Sequence, residues 1–417
     1  MITEHEILRL GHQGDGVALG PVYAPATLPG ETVRGVVSGS QLTQIRIETP
    51  SPDRVQPPCQ HAKSCGGCQL QHASDAFVAQ WKQDIVATAL DAQGLAAPMR
   101  AIQTSAARTR RRAVVSARRT KKGAMAGFHA RGSDVIVQIP DCQLVDSRLR
   151  AGLPLAEALA VAGASRKGEI SVTLTVTENG LDVAVSGGKP TDGPLEATLA
   201  QLAERFGVAR LAWEGEVIAM RQPPVQGFGT AKVTPPPGAF LQATPEGEAA
   251  LLAGVREIVG NAARIVDLFS GCGTFSLPLA EQAEVFALEG DAGMIRALDH
   301  GWRQAQGLKK VTGIARDLFR RPLVPQELAG FDAAVLDPPR AGAEAQVAAL
   351  AESSLERIAY VSCNPVTFAR DARVLVDAGY HLAWVQVVDQ FRWSSHIELV
   401  AAFSRTAGQE TGGSAQM

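Results

Sequence analysis

Between residues 240 and 404 the chain alternates short apolar runs with amphipathic stretches of helical length, and this constrains the fold more than any other feature. The runs are ARIVDLFS (263–270), AEVFALEG (283–290), FDAAVLDPP (331–339) and RIAYVSCNP (357–365). A buried strand ending in small or polar residues and feeding a helix is the βαβ unit. Repeated, it builds a doubly wound parallel sheet that binds ligands beyond the C-terminal ends of its strands. The expected class is therefore α/β for residues 236–404.

The rest of the chain has a different texture. Residues 1–55 carry short β-type runs punctuated by Gly and Pro, which predicts a small barrel of the OB type. SPDRVQPP (51–58) is a Pro-rich joint. Residues 56–235 mix a helical pattern from Ala76 to Ala92 with alternating segments and a hairpin signal at Asn179-Gly180, predicting a central α+β unit. The tail 405–417 is polar and Gly-rich and is expected to be disordered.

With 46% apolar residues the chain has material for several cores and is not a disordered protein. No uncharged run reaches membrane-spanning length, so no membrane partner is expected. The opening MITEHEILRL lacks the apolar core of a secretory signal. Six cysteines are too sparse for a disulfide scaffold, which points to a cytoplasmic protein. Nothing calls for an obligate oligomer, and a monomer is expected.

DLFSGCGTFSLPLA (267–280) sets a Gly-rich turn between a strand and a helix. Gly271 and Gly273 let the backbone approach a ligand closely. Glu289, twenty-two residues after Asp267, ends the next strand, where a carboxylate can accept bonds from ribose hydroxyls. Ser276 stands where a dinucleotide fingerprint would place its last glycine, which favours S-adenosylmethionine over NAD.

Two further strand ends carry chemistry. In VLDPPRAGAE (335–344), two prolines without N–H groups turn the chain out of the sheet and leave Asp337 at its rim. YVSCNPVTFARD (360–371) presents Cys363 in the same way. A single cysteine is more often a small buried hydrophobe, but the strand-end position before Asn364-Pro365 reverses that preference. FRWSSHIE (391–398) adds His396 and Glu398, which alone would be read as structural or solvated.

CQHAKSCGGCQLQH (59–72) spaces Cys59, Cys65 and Cys68 as C-x5-C-x2-C, and Cys142 follows in IPDCQLVD. Four thiolates suit either zinc or an iron–sulfur cluster, and spacing alone leaves both open. His61 and His72 flank the group without being needed as ligands.

The chain carries only two more acidic than basic residues, yet eight cations fall between Arg108 and Lys122. They are Arg108, Arg110, Arg111, Arg112, Arg118, Arg119, Lys121 and Lys122. A charge run is usually a solvated face; this local concentration favours RNA phosphates, with Arg110, Arg111, Arg112, Arg118 and Arg119 as candidate contacts.

The DLFSGCGTF turn, LDPPR, YVSCNP and the late HIE, in that order, resemble the RNA uracil-C5 methyltransferase family, which includes the RlmD-, RlmC- and TrmA-type enzymes. The resemblance implies a Rossmann-like domain methylating C5 of a uridine with S-adenosylmethionine. It implies that Cys363 is the nucleophile and Glu398 the base; the chemistry adds Asp337 to the catalytic group, either on the uracil edge or orienting the thiol. It places cofactor contacts at Gln242, Phe269, Thr274, Glu289, Asp317 and Asp337, besides Gly271 and Gly273 of the turn. It resolves the cysteines as a [4Fe–4S] site in the central unit, and the N-terminal barrel as TRAM-like. A TRAM-like barrel together with four cysteines points to the 23S rRNA branch over the tRNA branch. The competing readings are a relative acting on tRNA or another rRNA uridine, and a non-catalytic iron–sulfur RNA-binding protein.

Overall fold

The computed structural model describes residues 1–405; the expected tail disorder concerns residues that, but for Arg405, lie outside the described part. Five strands close the N-terminal barrel: Ile2–Leu10, Gly16–Ala18, Val22–Ala24, Gln41–Thr49 and Thr32–Ser38, in that spatial order. Its core is small, built on Ile7, Ala24, Val33 and Leu42. Gly16 is required there, because a Cβ would sit 2.0 Å from Thr27 Oγ1. Arg54, in the Pro-rich joint, ties the exit to the barrel through the buried Glu31, with Nη2 to Oε2 at 2.8 Å. Burial pushes the Glu31 carboxyl up, but bonds from Arg54 and from the Leu28 and Ser51 N–H groups outweigh it and hold it below its ordinary value.

The middle of the chain forms a seven-stranded sheet in the order 216–220, 210–213, 180–186, 169–177, 112–120, 123–129, 136–138. The hairpin expected at Asn179-Gly180 is present, pairing Thr177 with Gly180, whose φ of 121° favours glycine. The helices Leu153–Gly163 and Gly193–Arg205 join the sheet around one core.

The C-terminal sheet has eight strands. Val311–Ala315, Glu284–Glu289, Arg264–Leu268, Ala333–Leu336 and Arg357–Ser362 run parallel, as the alternation predicts. Leu399–Ser404 then pairs antiparallel with Arg357–Ser362, and His381–Asp389 antiparallel with it in turn. Side chains alternate between faces: Val266 and Leu268 enter one core, Ile265 and Val335 the other. Each such fully buried side chain contributes about 1.5–3 kcal/mol.

The eighth strand, Met99–Thr104, comes from the part of the chain expected to lie in the middle unit. It runs parallel to His381–Asp389, with Val385 N donating to Pro98 O at 2.9 Å. The helix before it, Asp75–Asp91, is N-capped by Ser74 Oγ on Phe77 N and sends Val86 and Leu90 into the C-terminal core. MRAIQT is too short and too mixed to reveal its partner; the open edge of the large sheet recruits it.

Strand order reverses at Arg264–Leu268, whose neighbours are Glu284–Glu289 and Ala333–Leu336. A cleft at the C-terminal ends of these strands follows from that topology.

Candidate active site

After Leu268 the chain bends through two left-handed residues, Phe269 at φ 65° and Gly271 at φ 56°. Left-handed backbone is strained for phenylalanine and marks a turn fixed by its surroundings. Glu289 supplies part of that fixation: its Oε2 accepts Gly271 N at 3.1 Å and its Oε1 accepts Asp291 N at 3.0 Å. Gly273 has a different task, since a Cβ there would meet Leu277 at 2.9 Å. Ser276, the residue that breaks the dinucleotide fingerprint, donates its hydroxyl to the buried Asp267 at 2.5 Å. Burial pushes Asp267 up to about 7, against the Ser276 bond.

These elements wall a cavity of about 490 Å³. Gln242, Phe269, Gly271, Thr274, Glu289, Asp317 and Asp337 line it, while Gly273 packs behind. Phe319 and Met294, not foreseen from sequence, complete the wall. The Phe319 ring lies 5.5 Å from that of Phe269, and Asp317 Oδ1 accepts Phe319 N at 3.0 Å, turning the loop. An acidic residue just past a strand and two places before an aromatic is the signal that could have found Phe319.

Cys363 and Glu398 line the same cavity. The two strand-end loops that present Asp337 and Cys363 are laced together, with Asn364 Nδ2 donating to Arg340 O at 2.9 Å. Tyr360 O–H and Ala343 N both donate to Asp371 Oδ2, at 2.6 and 2.8 Å, and fix the same junction from below. Burial pushes the Cys363 thiol up to about 11, reinforced by Glu398 and Asp337 and opposed by Arg340. Glu398 is buried and held well above the ordinary carboxyl value, first by burial and then by Asp337. Burial, with help from Glu289, pushes Asp337 up to about 7.

Gln242 Nε2 donates to Asp337 Oδ2 at 3.2 Å, and Gln242 Oε1 accepts from Gln390 Nε2 at 2.5 Å. Gln390 was not foreseen; it stands eight residues before Glu398 in a loop with no periodicity to read.

Arg340 also borders a second, polar cleft of about 440 Å³, lined by His12 and Gln13 of the barrel, Gln69, Arg131, Ser395 and His396. The barrel, the cysteine segment and the cavity mouth therefore share one wall.

Cys59, Cys65, Cys68 and Cys142 line one small enclosed cavity, and none is in a disulfide. Burial pushes Cys68 up to about 12, with the neighbouring cysteines adding to it. Among the described residues no three His, Cys, Asp or Glu side chains are gathered so as to hold a metal ion. The segment is stitched to the active-site loop: Gln69 N and Leu70 N donate to Trp393 O at 2.8 and 2.9 Å.

The five candidate RNA arginines separate. Arg111 is buried, its Nη2 2.5 Å from Glu248 and its Nε on Gln242 O at 3.1 Å. Its charge is consumed inside the protein, which corrects the expectation that it faces phosphate. Arg112 is half-buried on Gly238 O, and Arg110 is half-buried against the Phe391 ring. Burial lowers the pKa of both. Arg118 pairs with Glu169 at 2.8 Å. Arg119 is exposed beside Lys121 and Lys122 at the hairpin tip.

Among the described residues no helix is long and apolar enough to cross a membrane. A family model for tRNA (uracil-5-)-methyltransferase matches residues 308–405. An RNA methyltransferase of Rhizobium meliloti is 45% identical, over 95% of this chain and 98% of its own. The 23S rRNA (uracil(1939)-C(5))-methyltransferase RlmD of Alteromonas naphthalenivorans is 33% identical, over 94% of this chain and 87% of its own. The structure of Pyrococcus abyssi tRNA (uracil-54, C5)-methyltransferase with S-adenosyl-L-homocysteine superposes at a TM-score of 0.75. It is 22% identical and covers 96% of this chain and 99% of its own, a likeness of fold.

Proposed function

This chain belongs to the RNA uracil-C5 methyltransferase family, and from that premise we propose that it forms 5-methyluridine at one site in 23S rRNA. The observation that carries the reading is that Cys363, Glu398 and Asp337 open into the same cavity as the cofactor wall. The donor set suits S-adenosylmethionine: Glu289 for ribose hydroxyls, Phe269 and Phe319 for the adenine faces, and carboxyls near a sulfonium cation.

Uracil C5 is too weak a nucleophile to take a methyl group unaided. Addition of the Cys363 thiolate forms an S–C6 bond and moves the C5=C6 electron pair toward O4, giving an enolate nucleophilic at C5. Arg340, at the cavity mouth, is the cation placed to stabilise that charge. Bound S-adenosylmethionine supplies the electrophilic methyl group. Glu398 then takes the C5 proton, C5=C6 re-forms, and the S–C6 bond breaks to return the Cys363 thiolate. Asp337 is the carboxyl placed to hydrogen-bond the uracil edge. The target base must leave its stack to enter, and the polar cleft bordered by Arg340 and Arg131 suits the flanking strand.

The rRNA assignment is supported by the RlmD relative aligned along nearly the whole chain. The four cysteines that line one cavity are a donor set that either a [4Fe–4S] cluster or zinc takes, and the likeness of their motif to the RlmD-type enzymes is what favours the cluster. Cys59, Cys65, Cys68 and Cys142 would hold it, as a brace for the segment joined to Trp393.

The test supplies labelled S-adenosylmethionine to unmodified 23S rRNA and to tRNA, with anaerobically purified wild-type and Cys363→Ala protein, and maps the product by mass spectrometry. 5-Methyluridine at one rRNA site, absent with the variant, is the expected result. Label in tRNA overturns the rRNA assignment, and no label in either overturns the activity. Iron and sulfide analysis of the same preparation tests the cluster; zinc in their place refutes it.

A further inference from the structure

Gln390 is 1% exposed and follows directly on the strand His381–Asp389. Its Oε1 accepts the main-chain N–H of Ala243 at 2.7 Å. A backbone N–H can only donate, so this bond fixes which end of the amide is oxygen. The nitrogen end then faces two acceptors, Gln242 Oε1 at 2.5 Å and Glu398 Oε2 at 3.3 Å. Because Gln242 must accept through its oxygen, its own nitrogen is turned to Asp337 Oδ2. One fixed amide therefore sets the orientation of the next and reaches both carboxyls.

The side chain has little freedom to do otherwise. A Cβ on Gly247, in the first turn of the helix Pro245–Val259, would fall 2.7 Å from Gln390 Cβ, so that helix lies tightly against it. Val388 N donates to Glu398 O at 2.8 Å, closing the loop between the two residues. Glu398 Oε1 has no hydrogen-bond partner among the described residues.

We propose that Gln390 is a positioning residue for the elimination half-reaction: its amide holds Glu398 by Oε2, leaving Oε1 to take the C5 proton, and aligns Gln242 against Asp337. The proposal rests on the uracil-C5 reading above. The bond that breaks is C5–H, its proton goes to Glu398, and its electron pair restores C5=C6 as sulfur leaves C6. Gln390 touches neither proton nor substrate; without it the base is misoriented while the Cys363 thiol keeps its place, and a single turnover at saturating S-adenosylmethionine makes up for a loosened Gln242.

The experiment follows one turnover on RNA containing 5-tritiated uridine with methyl-labelled S-adenosylmethionine, using wild type, Gln390→Leu and Gln390→Met. Both variants fill the space without a donor, and the second, unbranched, guards against a failure of the first to fold. Expected is methyl incorporation within about threefold of wild type and tritium release slowed by at least about tenfold, short of the 10²–10⁴ of a lost base. A methylated protein–RNA adduct that survives denaturing gels should accumulate. Tritium release that keeps pace with methyl incorporation in the folded variants overturns the proposal. So does a parallel loss of both without adduct, which is what a merely structural role predicts. A wild-type protein that releases no tritium overturns the uracil-C5 reading and this proposal with it.

Discussion

Lys82 and Asp389, 307 residues apart in sequence, meet as a buried ion pair with Nζ 2.6 Å from Oδ1. The ammonium also donates to Phe391 O at 3.2 Å, and Asp389 Oδ1 accepts Phe391 N at 3.1 Å. The helix Asp75–Asp91 thereby pins the start of the loop that carries Gln390 and leads to Glu398. Burial pushes the Lys82 pKa down, and the charge and hydrogen bond of Asp389 oppose it. Lys82→Met should therefore leave a carboxylate buried without its counter-ion and cost about 3–5 kcal/mol in urea denaturation. Lys82→Met with Asp389→Asn should recover most of that loss, because no charge is stranded. A single variant as stable as wild type would show that the pair does not hold the loop.

The free Cys363 thiol, pushed up to about 11, is almost wholly protonated near neutrality. Only the thiolate reacts with iodoacetamide, so its alkylation should rise about tenfold per pH unit between pH 7 and 10. Arg340 is the cation opposing the rise, and Arg340→Ala should slow the reaction at each pH. Peptide mapping by mass spectrometry reads Cys363 apart from the other cysteines. A rate already at its plateau at pH 7 would contradict the burial argument.

Asp267 carries its perturbation into stability. Its folded pKa, about 7, lies above its ordinary value of 3.8, so between these pH values the folded state keeps a proton that the unfolded chain has released. That contribution is fully present below pH 3.8 and is lost as pH rises through 7. Asp267→Asn does not titrate. Between pH 4 and 8 the stability difference should move in the variant's favour by up to about 4 kcal/mol, the worth of a three-unit shift. Urea denaturation of both proteins across that range measures it; parallel curves would refute the assignment.

The parallel strands and the residues at their ends were legible because both follow from local pattern. Burial on two faces makes the runs around Val266, Leu288, Val335 and Tyr360 almost wholly apolar, and Asp337 and Cys363 stand where the last two stop. Met99–Thr104 was not legible as a member of the large sheet, because its pairing with His381–Asp389 depends on an edge that exists only after folding. Gln390 and Arg111 were hidden for a related reason. A glutamine in a loop and an arginine in a basic run look solvated until the surfaces that enclose them are known.

The basic run is the place where that blindness has a measurable consequence. Arg111 and Arg119 are eight residues apart in one sequence patch but belong to different physical environments. Arg111 N donates to Ala243 O at 2.9 Å and Arg111 Nε to Gln242 O at 3.1 Å, so the residue clamps the backbone of Gln242, which lines the cavity. Burial raises the pKa of Glu248 and Arg111 opposes it, so without the arginine this carboxyl would tend to take up a proton. Arg111→Met should weaken S-adenosylhomocysteine binding by about tenfold, equivalent to about 1.4 kcal/mol, through a displaced Gln242. It should leave the salt dependence of RNA affinity unchanged, since no phosphate contact is removed. Arg119→Ala should do the reverse, keeping cofactor affinity and reducing the slope of log affinity against log salt by roughly 0.7–0.9. Calorimetry with S-adenosylhomocysteine and filter binding of RNA across a potassium chloride series separate the two effects. Equal loss of salt slope in both variants would return Arg111 to the RNA face and remove it from the cofactor wall.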